Sequence, residues 1–226
     1  MLFQSQSKTA PLSARFVFLL LLLGVSVVNA APIVDRPQEP DKAAACFASL
    51  QAEGIKFERA AQPVTKNAAC AIDAPVKLIS APQAGGKSEI VFPDKPLLAC
   101  AFAGQFADFV KQVANPLALS ALGTPIKSIE TGPGHECRFR NRATSGKMSE
   151  HGRGLALDMR SLTLADDRRL IVGTDKDKRF LETLAKAACG FFATVLGPGA
   201  DAMHKDHLHF DAELRISRMG GHFCQP

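Results

Sequence analysis

Hydrophobic and polar positions change period several times along the chain, and each change predicts an element. From Phe16 to Val28 the residues are apolar except for Gly24 and Ser26, behind a positive segment carrying Lys8 and Arg15. Val28-Asn29-Ala30 then offers small residues for cleavage. A run this short with these flanks predicts a secretory signal peptide over residues 1–30 rather than a spanning helix. Residues 31–41, rich in proline and charge, read as a linker into one domain over 42–226.

Within that domain, Asp41 is placed to cap a helix over Ala43–Ala52 that Gly54 ends. Pro75–Ile79 reads as a strand before a Gly85-Gly86 turn. From Phe102 to Leu122 the apolar residues recur at helical spacing, with Phe102, Phe106, Phe109, Val110 and Val113 on one face. Pro116 kinks or restarts that helix. Ile126–Glu130 reads as a strand, and Gly132-Pro133-Gly134 turns it into a second one over Cys137–Arg142, as a hairpin.

Leu155–Arg160 alternates, with Leu155, Leu157 and Met159 on one side and Ala156, Asp158 and Arg160 on the other. Leu170–Val172 is suited to pairing with a neighbour, and Asp177–Ala188 is an amphipathic helix. Phe191–Leu196 and His207–Asp211 complete the strands, separated by the turn residues Gly197-Pro198-Gly199. Helices and strands mix without regular βαβ alternation. This predicts an α+β fold with a small central antiparallel sheet flanked by helices.

Composition narrows the classes. Loss of Lys8 and Arg15 with the signal lowers the formal charge from +5 to +3, and no Lys/Arg cluster tracks a phosphate backbone, so nucleic acid is disfavoured. The six cysteines (Cys46, Cys70, Cys100, Cys137, Cys189, Cys224) all follow the signal and form no C-x-x-C pair. They predict three disulfides in an oxidising compartment, the periplasm or the exterior, with no integral membrane segment once the signal is cleaved. The expected pairing is Cys46–Cys70, Cys100–Cys137 and Cys189–Cys224. Trp and Tyr are absent, which removes the usual aromatic platforms for sugars and leaves peptide or carboxylate recognition open.

Four of the six histidines fall in two short segments, S-E-H-G-R-G-L-A-L-D with His151 and Asp158, and M-H-K-D-H-L-H-F-D with His204, His207 and His209. On a strand, i and i+2 share a face, so His207, His209 and Asp211 line one side while Leu208 and Phe210 face the core. Asp158 projects from its own strand beside small Ala156, and Gly152 and Gly154 make the turn after His151 flexible. Imidazole and carboxylate are ordinary zinc ligands, so His151, Asp158 and one histidine of the pair are candidates for one ion. An isolated H-x-H is commonplace; the joint occurrence carries the reading.

His151-Gly152-Arg153-Gly154-Leu155-Ala156-Leu157-Asp158 resembles the H-x-x-G-x-A-x-D motif of the LAS-type zinc peptidases (lysostaphin, D-Ala-D-Ala metallopeptidases and the hedgehog fold). Ser149 resembles their S-x-H opening and His207-Leu208-His209 their H-x-H. The spacing His204-x-x-His207-x-His209 is similar to that of the murein endopeptidases of the group. Cys137-Arg138-Phe139-Arg140-Asn141 and Thr194-Val195-Leu196-Gly197-Pro198-Gly199 resemble the bacterial extensin-like C-terminal family from about Cys46 onward, although the chain has no proline-repeat tract.

These resemblances imply a hedgehog/D-Ala-D-Ala-peptidase-like fold in which His151, Asp158 and His209 hold Zn2+. They imply that His207 acts beside the metal on peptidoglycan stem peptides or cross-links. His204 is either a further catalytic helper or a loop histidine, and Asp211 either orients a histidine or is solvated. No Glu precedes His209 as it does in E-x-x-H enzymes, which favours an endopeptidase over a dipeptidase or D-amino-acid carboxypeptidase. A non-catalytic zinc-containing wall-binding protein is the other class. Arg138, Arg140 and Arg142 alternate along the predicted strand; with Ser149 they either recognise substrate carboxylates or, for the arginines, form a basic solvated edge.

Overall fold

The computed structural model describes residues 41–226 apart from 84, 87, 175, 177 and 214–221; the predicted signal peptide and all but the last residue of the linker lie outside the described residues. Helix α1 spans Lys42–Ala52, and the Asp41 carboxylate accepts from the Ala43 N–H at 3.0 Å, as a capping aspartate should. Strands β1 (Lys56–Arg59), β2 (Pro75–Pro82), β3 (Glu89–Val91) and β4 (Leu97–Ala99) follow. The long helix then runs from α2 (Cys100–Phe109) through a π-helical turn (Val110–Ala114) into α3 (Asn115–Leu122). Pro116 has no N–H to give the preceding turn, and the widened turn, in which Asn115 N–H reaches back to the Val110 carbonyl, absorbs the loss without breaking the helix.

The rest of the chain is β5 (Ile126–Thr131), β6 (Ala156–Leu164), β7 (Arg169–Ile171), α4 (Lys178–Ala188), β8 (Thr194–Leu196), β9 (Leu208–Asp211) and β10 (Phe223–Gln225). The fold is α+β. Its sheet is larger than predicted: ten strands in the order β1-β2-β3-β5-β6-β9-β8-β10, with β4 on β2 and β7 on β6. Pairing is antiparallel except between β3 and β5 and between β8 and β10. β10 lies beyond the strand expected to be last. Three residues at the tail carried too little pattern to declare it.

The predicted hairpin does not form. β5 pairs with β6, bringing Thr131 opposite Met159, and residues 137–142 leave the sheet. Asn141 and Arg142 adopt left-handed backbone (φ 53° and 56°), which no strand tolerates, and Cys137 is drawn away to Cys70. The disulfides are Cys46–Cys100, Cys70–Cys137 and Cys189–Cys224, so only the last expected pair is correct. Cys46 sits on α1 and Cys100 opens α2, and these helices pack together, which decides the first bridge. Three disulfides fit an extracytoplasmic chain. No helix among the described residues is long and apolar enough to cross a membrane.

One face of the sheet is covered by the helices. Phe102, Phe106 and Phe109 of the long helix meet Phe192 and Phe210 there, all essentially inaccessible to water. The ring of Phe210 lies 5.0 Å from Phe192, 5.7 Å from Phe109 and 6.0 Å from Phe106. Phe180, Leu181, Leu184, Ala185 and Ala188 of α4 complete the same layer. The other face of β6, β9, β8 and β10 is left to the candidate site.

Two outcomes test this architecture. Peptide mapping of the unreduced protein should recover Cys46–Cys100 and Cys70–Cys137 linked peptides, and a Cys46–Cys70 peptide would contradict the packing of α1 on α2. Phe106→Ala should cost about 3–5 kcal/mol of unfolding free energy in urea titration, because the cavity opens at the centre of the ring cluster.

Candidate metal centre

β6 and β9 pair so that Asp158 lies directly opposite His209 and Ala156 opposite Asp211. β8 adds Leu196 opposite His209 and Thr194 opposite Asp211. Side chains two apart share a face, so Asp158, His209, Asp211, Thr194 and Leu196 all point away from the helices. β10 extends that face with Phe223 and Gln225, in register with Thr194 and Leu196. The result is a cleft of about 500 Å³ whose floor is the sheet and whose wall includes Arg138, Arg140, Ser149 and Glu150.

His151 reaches the same point from outside the sheet. It sits in a short 3-10 turn, Glu150–Arg153, that ends at Gly154 with φ +65°. A Cβ on Gly154 would lie 2.7 Å from the Ala99 nitrogen, so the turn is tight against β4, not flexible as its glycines suggested. The His151 ring donates its Nδ1–H to the Gly134 carbonyl at 2.7 Å, since a carbonyl can only accept. That leaves Nε2 as the lone-pair nitrogen. Gly134 itself has φ +79°, and a Cβ there would meet the Leu97 carbonyl at 2.5 Å.

Three atoms converge. His151 Nε2 is 3.2 Å from His209 Nδ1 and 3.3 Å from Asp158 Oδ1, while His209 Nδ1 is 2.8 Å from Asp158 Oδ1. His151, Asp158 and His209 are the one group among the described residues with a donor set that could hold a metal ion. The far nitrogen of His209, Nε2, contacts Asp211 Oδ2 at 3.4 Å, so Asp211 is an orienting partner and not a solvated residue.

The remaining histidines flank this group. His207 Nε2 lies 3.7 Å from Asp158 Oδ1, and its Nδ1 faces Asp206 Oδ1 at 3.0 Å. His204 is buried, with its ring 5.2 Å from that of His207 and 5.7 Å from that of His209. Both line the cleft.

Residues 44–225 match the family model described as extensin-like protein C-terminus. The chain belongs to that family. No curated protein and no solved structure matches the chain. The family name of this extensin-like domain assigns no chemistry.

Its arginines do not share a strand face. Arg138 Nε donates to Glu136 Oε2 at 2.6 Å, Arg142 Nη1 to Glu136 Oε1 at 2.8 Å, and Arg140 Nη2 pairs with Glu213 at 2.8 Å. Lys147 also pairs with Glu213. Ser149 is buried beside His151, and its N–H donates to the Arg138 carbonyl at 3.0 Å. All three arginines still line the cleft, but each arrives already paired with a carboxylate.

Residue patterns alone missed three acidic groups. Glu150, next in sequence to His151, is buried in the cleft wall; burial, then the nearby Asp211 and Glu213, hold its carboxyl above the usual range. The S-E-H triplet was the available signal. Asp201 and Asp206 bind His204 and His207, and their spacings of three and one residues are the only trace they leave in the sequence.

Charge in the site is dominated by hydrogen bonds. Burial pushes the Asp158 carboxyl up, but the hydrogen bond from His209 and the charge of its imidazolium outweigh it and hold the group well below its usual value. Burial disfavours the His209 imidazolium, yet hydrogen bonds to Asp158 and Asp211 prevail and push it up to about 9. Burial lowers His204, against the pull of Asp201.

These shifts fix a stability profile for chelator-treated protein. His209, raised above its unfolded value of 6.5, stabilises the fold fully below that pH and loses the contribution as pH rises through about 9. Asp158, lowered from 3.8, stabilises above that pH and loses the contribution as pH falls through its folded value. Melting temperature in chelator should therefore decline between pH 6.5 and 9, and His209→Gln should flatten that limb.

Proposed function

We propose that the domain is a zinc-dependent peptidase of the periplasm, acting on the peptide cross-links or stem peptides of peptidoglycan. The observation that carries this reading is the convergence of His151 Nε2, Asp158 Oδ1 and His209 Nδ1 at the floor of the cleft, 2.8–3.3 Å apart. A tetrahedral ion with bonds of about 2.0–2.1 Å spaces its donors about 3.3 Å apart. The donor set also suits zinc: two imidazoles and a carboxylate leave one position for water or substrate.

His151, Asp158 and His209 would hold the zinc ion, which would polarise a scissile carbonyl and bring the pKa of a bound water toward neutrality. The protein's own groups account for the rest. Asp158 would serve as a ligand through its ionised carboxyl, and the His151 Nδ1–H at Gly134 leaves Nε2 as the ligating nitrogen. His209 would give up its Nδ1 proton to serve as a ligand and keep the Nε2 proton toward Asp211, which fixes its ring and tautomer. His207 is close enough to Asp158 to act at the same atoms, donating to a developing oxyanion or handing a proton to the leaving amine. Arg138 and Arg140 supply guanidinium groups along the wall for substrate carboxylates, in competition with Glu136 and Glu213.

That internal pairing is the observation that favours the second reading, a non-catalytic wall-binding protein with the same metal site. Digestion of purified cross-linked sacculi, followed by chromatography of the released muropeptides, separates the two. The peptidase reading expects monomeric products that vanish with His209→Ala and fall about 10²-fold or more with His207→Ala. Binding to sacculi with stoichiometric zinc and no release by wild type establishes the scaffold reading instead.

Metal uptake supplies a further prediction. Near pH 7 each zinc ion bound should release about one proton, from His209, read as the buffer dependence of the calorimetric heat. His209→Ala should abolish both the heat and the metal content.

A further inference from the structure

The turn between β8 and β9 holds an aspartate that neither the motifs nor the family name points to. Asp201 Oδ1 accepts from two donors at once, the Met203 backbone N–H at 2.8 Å and the His204 ring Nδ1 at 2.8 Å. The His204 backbone N–H closes the same turn onto the Asp201 carbonyl at 3.2 Å. The carboxylate is thus locked by main chain before it meets the imidazole. Asp206 is held less firmly: its side chain is 73 % exposed against 46 % for Asp201, and its bond to His207 competes more with water.

A carboxylate oxygen can only accept, so His204 carries its proton on Nδ1 and its lone pair on Nε2. The ring is buried between His207 and His209 and lines the cleft. We propose that Asp201 is a positioning residue: it fixes His204 in the Nδ1–H tautomer and presents Nε2 as a proton acceptor beside the three converging donors. The proposal rests on the hydrolase reading of this site and adds to it a division of labour. His204 takes a proton through Nε2, while His207 keeps its place beside Asp158. Without Asp201 either ring nitrogen could face the cleft.

The test is direct observation of the tautomer. Long-range proton–nitrogen correlation spectra of uniformly labelled mature protein should show His204 protonated at Nδ1 and bare at Nε2. Asp201→Ala should give a mixture of tautomers. Asp201→Asn, which keeps an acceptor oxygen for both donors, should restore the wild-type pattern. The ring of His222, whose Nδ1 faces the Phe192 carbonyl away from this turn, reports that the variants are folded.

With a cleavable peptide, Asp201→Ala should lower kcat about 10²-fold at unchanged KM and unchanged zinc content. Wild-type His204 protonated at Nε2, or an Asp201→Ala variant that keeps the Nδ1–H form or full kcat, overturns the proposal. Because the spectra need no substrate, a protein that cleaves nothing removes the hydrolase reading while the tautomer result still decides what Asp201 does.

Discussion

Everything at the site depends on one register, that of β6 against β9. With Asp158 opposite His209, the helix-facing partners are Leu157 opposite Phe210 and Met159 opposite Leu208. A slip of one residue turns every side chain to the other face, burying Asp158 and His209 among phenylalanines and exposing Phe210. The ring cluster around Phe210 makes that slip prohibitive. The hydrophobic core and the donor set are therefore two faces of one decision, and the core, with far more buried surface, makes it.

The third donor is not in the sheet, and different forces bring it in. His151 hangs on a tight turn pinned by Gly154 against β4 and by the Gly134 carbonyl at its own ring. Gly152 packs that turn on the Cys70 sulfur, so the Cys70–Cys137 bridge lies directly behind it. Charge adds a second tie. Arg140 lies 3.8 Å from Glu150, beside His151, and 2.8 Å from Glu213, two residues beyond Asp211. One guanidinium thus spans the segments that carry His151 and His209. Removing it would leave Glu150 with Arg153 alone and Glu213 with Lys147 alone in a wall that already holds Asp158 and Asp211, so burial of the two carboxylates draws on all three cations.

How much of this the sequence disclosed follows the range of the forces involved. Asp158, His209 and Asp211 were legible because strand alternation is a local rule, and Leu208 and Phe210 announced the buried face between them. Asp41 capping α1 and the apolar face of the long helix were legible for the same reason. The failures are non-local. Residues 137–142 alternate well enough for a strand, but Cys70, Glu150 and Glu213 elsewhere in the chain, with the adjacent Glu136, claim the segment. Cys46 and Cys100 are joined by helix packing that no spacing rule encodes. Glu150 was not legible because its burial in the cleft wall depends on packing against segments distant in the chain.

The tail shows how a local rule and a distant covalent bond act together. β10 is only three residues long, too short to hold its place by ladder hydrogen bonds alone. Its middle residue, Cys224, is bonded to Cys189 just past α4, on the helix side of the sheet. Strand alternation then obliges Phe223 and Gln225 to face the cleft, where both line its wall. The disulfide thus fixes the far side of the site without touching it. Against β8, the last bridge does for the cleft wall what the Phe210 cluster does for its floor: a contact on the helix face decides which side chains a ligand meets on the other.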